Sequence, residues 1–206
     1  MFSAGSDISE KYAKVATKNN AVVIDNTSFF RYEDNIPLVV PEVNSEKISL
    51  YKETGIIANP NCSTIQMLVA LKPIHDICKI KRINVCTYQA VSGSGNEAID
   101  ELKNQVYAYT RNESLVNNVY PKQIAFNVIP QIDKFMDNGY TKEEMKMVWE
   151  TKKILDSSIE VNPTTVRVPV FFGHSEAVHI ELKNKITAKQ VKDILGKNNS
   201  GVVLVD

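Results

Sequence analysis

Ile57-Ala58-Asn59-Pro60-Asn61-Cys62-Ser63-Thr64-Ile65-Gln66 reads as the end of a strand, an Asn-Pro turn and the start of a helix. Ile65, Leu68 and Val69 recur at helical spacing, and Pro73 is expected to end the run. Three helix starts fit these residues: Asn61 as the cap, Pro60 as the first helical residue, or a capping box of Ser63 and Gln66. Each leaves Cys62 at or within a residue or so of the start, where unpaired N–H groups and the positive end of the helix dipole lie. A thiol placed there ionises more easily than usual, and the thiolate is the nucleophile. A buried cysteine with no chemistry fits the same stretch.

Working outward, 21–25 and 55–58 are short continuous apolar runs, the pattern of strands buried on both faces of a parallel sheet. Phe2-Ser3-Ala4-Gly5 resembles a buried strand end turning toward a ligand, or an ordinary turn, and 8–17 has helical spacing. The opening is thus the tail of an α/β nucleotide-binding pattern. Arg31 follows the carboxyl end of the 21–25 strand, the edge where open α/β sheets bind ligands. It could grip a phosphate or carboxylate in a two-pronged way, or lie on the surface. Residues 37–43, bounded by prolines, read as extended.

Beyond Pro73 the pattern changes. Residues 82–90 alternate as a half-buried strand, with Gln89 on the face of Val85 and Thr87. Val91-Ser92-Gly93-Ser94-Gly95 is a small-residue loop that lets backbone approach a ligand, or a plain turn into a helix over 96–109. Residues 115–121 read as irregular and 124–132 as extended. Thr141-Lys142-Glu143-Glu144 is a capping box opening a helix with the apolar stripe Met145, Val148, Trp149 and Leu155. Glu143 and Lys146, three apart, share a helix face, which reads as a surface ion pair. Residues 164–172 read as a strand in which Pro169 implies an edge or a bulge. Gly173 breaks it before a second strand over 177–182, a helix over 187–195 and a last strand over 201–206.

With 206 residues, 43% hydrophobic and 23% charged, the chain is long enough for one large or two small globular domains with a real core. Formal charge balances to zero, which gives no support for a nucleic-acid or anionic-membrane partner. No apolar run is long enough to span a bilayer. Cys62, Cys78 and Cys86 show neither CxxC spacing nor an even count, which favours a reducing, cytoplasmic setting over disulfides or a metal site. Met1-Phe2-Ser3 lacks a basic n-region, so no signal peptide is expected.

Cys62 as nucleophile, His174 just past Gly173 as acid or base, and Arg167 as an anion-binding group form one candidate constellation. His179, in an alternating strand, reads as structural, and His75 has no evident partner.

These pieces resemble one family as a set. SAGS, DNTSxFR, PLVVPEVN, IIANPNCSTIQ, YQAVSGSG, EEMKM followed by ETKKIL, and TTVRVPVFFGHSEAVHIEL look like aspartate-semialdehyde dehydrogenase, in order and over nearly the whole chain. NPNCSTIQ and RVPVxxGHS are the most specific. The resemblance implies an enzyme that makes L-aspartate 4-semialdehyde from 4-phospho-L-aspartate with NADPH, releasing phosphate, in lysine, threonine, methionine and diaminopimelate synthesis. By resemblance, Cys62 forms an acyl-thioester, His174 is the acid/base group and Gln89 orients the substrate. Arg167 holds the α-carboxylate and Glu143 meets the ammonium. Arg31, Asn61 and Lys146 bind the phosphate. Ser3, Ala4, Gly5, Ser92 and Gly93 line the NADP site. The implied partners are a small-molecule substrate and a second copy of the chain, as a homodimer or homotetramer.

The implied fold is α/β plus α+β: a partial Rossmann-like nucleotide domain over 1–62, then a dimerisation and substrate domain with a mixed sheet over 63–206. Members of the family begin with a strand and a glycine-rich phosphate-binding turn ahead of the SAG segment, and continue past GVVLVD to a final helix. Both parts lie outside this sequence, so weak or no NADPH binding by this chain alone is expected. A catalytically inactive dimerisation-domain fragment is the second reading. An N-acetyl-glutamyl-phosphate reductase relative is a third, set apart by Glu143, which suits an unacetylated ammonium. A cofactor-free Cys–His hydrolase or acyltransferase ranks last, because no third-member motif accompanies His174.

Overall fold

Ile56–Ala58 is a strand and Cys62–Cys78 a helix, with Asn61 between them as the cap. The computed structural model describes residues 1–197 and 201–205. In chain order its elements are α1 (Ser6–Lys18), β1 (Val23–Asp25), α2 (Pro41–Asn44), β2 (Ile56–Ala58), α3 (Cys62–Cys78), β3 (Ile80–Gln89), α4 (Asn96–Thr110), α5 (Lys142–Ile154), β4 (Glu160–Arg167), β5 (Ser175–Leu182) and α6 (Ala188–Gly196). Backbone packing divides the chain into two compact units. The first comprises Met1–Ile83, Lys146–Val161 and Ile180–Asp206; the second comprises Asn84–Met145 and Asn162–His179.

In the first unit β1 and β2 pair in parallel, Val23 opposite Ile56 and Asp25 opposite Ala58. Phe2 bridges Asp25 and Leu38 bridges Ala58, again in parallel. Parallel neighbours need a crossover, and α1 supplies the one between Phe2 and β1. Gly5 caps α1 at φ 107°, a conformation side chains rarely adopt. The buried carboxylate of Asp25 ties α1 to the strand end, accepting from Ser9 Oγ at 2.7 Å and from Thr27 Oγ1 at 2.9 Å.

Four local expectations are corrected here. Strand β1 is not buried on both faces: Ile24 is 46% exposed, because the three-residue strand alternates and only its Val23 and Asp25 face is covered. The 37–43 segment is extended only to Val40, since Pro41 starts the short helix α2 as its N1 residue. Pro73 does not end α3. Leu68, Leu71, Ile74 and Cys78 are buried on both sides of it, and that burial outweighs a penalty of about 3 kcal/mol for an interior proline. The helix stops at Lys79, φ 53°, whose N–H bonds the carbonyl of His75. His75, expected to lack a partner, is buried; its Nδ1 accepts from Ile80 N–H at 3.2 Å and its Nε2 lies 3.6 Å from Asp156.

In the second unit α4 packs Ala98 and Leu102 against Val91, Ile124, Ala125 and Ile129. The 124–132 segment is not a strand. Gln105 Oε1 accepts the N–H groups of Ile124 and Ala125, so a side chain replaces a ladder partner, and only Ile129 makes a bridge, to Arg167. Thr141 and Glu144 form the expected box: Glu144 Oε2 accepts Thr141 N–H at 2.7 Å and Thr141 Oγ1 accepts Glu144 N–H at 3.3 Å.

The second sheet has the order β4-β3-β5, so β4 is an edge, but Pro169 lies beyond its end rather than inside it. It ends at Arg167, earlier than expected, because Pro169 has no N–H to offer a ladder. On β3, Val85, Thr87 and Gln89 share the buried face as the alternation required. Residues 201–205 form no strand, and Val203 and Val205 are exposed; residue 206, the last of that expectation, lies outside the described residues.

Candidate active site

Cys62 is the first residue of α3, and it is exposed. Asn61 Oδ1 accepts from Ser63 N–H at 3.0 Å and Thr64 N–H at 3.4 Å. Of the three possible starts, the Asn61 cap is therefore the one formed. The turn places the sulfur in the first helical turn, where backbone N–H groups point outward.

Arg31 and Asn61, two of the three expected phosphate ligands, meet through a residue that the sequence did not single out. Glu150, wholly buried on α5, accepts Arg31 Nη1 at 3.0 Å on one oxygen and Asn61 N–H at 2.7 Å on the other. Arg31 also donates Nε to Thr27 carbonyl and Nη2 to Asn26 carbonyl, each at 3.0 Å. Three of the five guanidinium N–H groups are thus committed to the protein. Burial pushes the Glu150 carboxyl above the usual range, against the pull of Arg31 and the Asn61 N–H. Lys146, half-buried, stands one turn before Glu150 on the same face of α5. That spacing inside the ETKKIL neighbourhood was the available signal for Glu150. Ser3, Ala4 and Gly5 are exposed at the N-terminus of α1, beyond the Phe2 bridge.

The second unit gathers the remaining candidates. Gln89 ends β3, buried, and donates Nε2 to Glu143 Oε1 at 3.3 Å. Arg167 ends β4, also buried, and donates Nη1 to Ala90 carbonyl at 2.8 Å. His174 Nδ1 accepts the Ala90 N–H at 3.0 Å. Burial and the Arg167 charge hold the His174 pKa below the ordinary value, opposed by Glu143 and a backbone contact at Gly173. Ser92 and Gly93 follow in a short 3-10 turn, Val91–Ser94, and Val91 N–H and Ser92 N–H bond Val170 and Phe171 carbonyls. The two backbone polar groups of Ala90, its N–H and its carbonyl, thereby orient His174 and Arg167.

A family model described as the semialdehyde dehydrogenase dimerisation domain matches residues 71–206, and one described as the NAD binding domain matches residues 1–51. The chain belongs to the semialdehyde dehydrogenase family. Its fold combines NAD-binding and dimerisation parts of that family. Among semialdehyde dehydrogenases it is 64% identical, over 94% of its length, to aspartate-semialdehyde dehydrogenase of Shewanella violacea, and covers 58% of that protein. It is 59% identical, over 100% of its length, to the Legionella pneumophila enzyme of that name, covering 59% of it. A crystal structure of aspartate semialdehyde dehydrogenase II from Vibrio cholerae, complexed with ASA, superposes with TM-score 0.95 at 61% identity, over 96% of this chain and 59% of that one. The chain thus spans about three-fifths of the length of these relatives. No helix among the described residues is long and apolar enough to cross a membrane.

Proposed function

We propose that this chain carries the substrate chemistry of a phosphorylating, NADP-dependent aspartate-semialdehyde dehydrogenase, converting 4-phospho-L-aspartate to L-aspartate 4-semialdehyde. The observation that carries this reading is the exposed Cys62 at the first position of the Asn61-capped helix α3.

The Cys62 thiolate attacks the acyl carbon; the bond from that carbon to the phosphate oxygen breaks, and phosphate leaves with the electron pair. A thioester on Cys62 remains. Helix-start N–H groups stabilise the oxyanion that forms on the way. Arg31, Asn61 and Lys146 bind the phosphoryl group. Gln89 orients the substrate, Arg167 holds its α-carboxylate, and Glu143 meets its ammonium, which favours an unacetylated substrate. His174 meets the substrate oxygen, the place of an acid/base group.

Ser3, Ala4 and Gly5 fit a dinucleotide phosphate, since they are exposed at the positive end of α1 and nothing beyond the chain neighbours of Gly5 lies within 4 Å of where a side chain there would begin. With Ser92 and Gly93 they would hold NADP, which when bound supplies hydride to reduce the thioester.

The proposed division is a nucleotide part over 1–62 and a catalytic and dimerisation part over 63–206, acting as a homodimer or homotetramer in the cytoplasm. The pathway is lysine, threonine, methionine and diaminopimelate synthesis. The test is phosphate-dependent reduction of NADP by L-aspartate 4-semialdehyde. Turnover that Cys62→Ser abolishes supports the reading; equal turnover in Cys62→Ser refutes it.

A further inference from the structure

We propose that His174 works as a neutral imidazole carrying its proton on Nε2, locked in that tautomer by the Ala90 N–H, and that Gly93 is a positioning residue keeping space for it beside Arg167. The proposal rests on the reading of His174 as the group that meets the substrate oxygen.

A ring nitrogen that accepts a hydrogen bond presents a lone pair. With Ala90 N–H 3.0 Å from Nδ1, the proton of the neutral ring belongs to Nε2. Protonating Nδ1 as well would set two N–H groups against each other and leave the Ala90 donor without an acceptor. Ala90 is itself fixed, because its carbonyl accepts Arg167 Nη1 at 2.8 Å and Gly93 N–H at 3.3 Å. A side chain cannot easily be added at Gly93. A Cβ there would lie 3.1 Å from Arg167 Nη1 and 3.3 Å from both Cε1 and Nε2 of His174.

The charged groups bearing on the ring are Arg167, from β4, which disfavours the imidazolium, and Glu143, from α5, which favours it. Burial joins Arg167, a backbone hydrogen bond at Gly173 joins Glu143, and the balance lies on the neutral side.

The consequence is chemical. The lone pair that a Cys–His pair would use to take a thiol proton is committed to Ala90. What remains is an Nε2–H donor, able to hydrogen-bond an oxygen as it gains negative charge and keeping its proton while that oxygen does so. The acid/base role of His174 narrows to that of a neutral hydrogen-bond donor.

The test is a long-range proton–nitrogen correlation spectrum of the full chain labelled with ¹⁵N-histidine, followed through pH. His174→Gln identifies the signal; should that variant fail to fold, His75→Gln and His179→Gln together assign it by elimination among the three histidines. The expected result is a single neutral Nε2–H tautomer that persists below the ordinary midpoint of about 6.5. An Nδ1–H form, a mixture of tautomers, or an imidazolium at neutral pH would overturn the proposal. Gly93→Ala, folded by its melting curve, is expected to move the His174 midpoint or split the tautomer signal; an unchanged spectrum removes Gly93 from the role. None of these readouts involves turnover, so the proposal can fail while the Cys62 chemistry stands, and the reverse.

Discussion

Glu150 clamps Arg31 to the start of the helix that carries Cys62: one carboxylate oxygen takes Arg31 Nη1 at 3.0 Å and the other takes Asn61 N–H at 2.7 Å. Both partners and the carboxylate are buried. Removing one member of such a pair strands the other's charge, at a cost of about 3–5 kcal/mol. Glu150→Ala is expected to lose stability in that range in urea unfolding. Glu150→Gln, which keeps one accepting oxygen but turns an N–H toward Asn61 or Arg31, is expected to lose less. Equal stability of wild type and Glu150→Ala would show the clamp contributes nothing.

The Asn61 side chain satisfies two N–H groups of the first turn of α3. Asn61→Ala is expected to cost about 1 kcal/mol, and Asn61→Ser, which keeps an accepting oxygen, a few tenths. Chemical denaturation of the two variants checks the order.

Acid is expected to weaken the fold through His75. Burial and then the Lys79 charge lower its pKa, with Asp156 and Asp76 pulling the other way. A histidine with a lowered folded pKa is neutral in both states above about pH 6.5; as pH falls through that value the unfolded chain takes the proton first. Stability is therefore lost from about pH 6.5 downward, until the folded pKa is passed. His174, lowered as well, adds in the same direction. Melting temperatures measured across this window are expected to fall, and more shallowly in His75→Gln, whose amide oxygen can still accept Ile80 N–H.

Much of this arrangement was legible in the chain because short-range chemistry decides it. The Asn-Pro-Asn-Cys turn, the Thr141 box and the alternation of β3 each need only neighbours in sequence. What was not legible depends on partners far away. Pro73 stays helical because Ile74 and Cys78 find burial beyond it. Residues 124–132 lose their strand because Gln105, on α4, takes their N–H groups. Ile24 is exposed because one face of β1 is uncovered, and an apolar run does not say which. Glu150 looks like one more surface glutamate until Arg31, 119 positions earlier, is seen to meet it.

The central claim is that the Cys62 sulfur takes the acyl group from phosphate. Intact-mass and peptide mass spectrometry of the chain after brief exposure to 4-phospho-L-aspartate tests it without cofactor. The account predicts an aspartyl adduct on the peptide holding Cys62, removed by hydroxylamine and absent in Cys62→Ser. An adduct that persists in Cys62→Ser, or a folded chain that acquires none while phosphate is released, would contradict it.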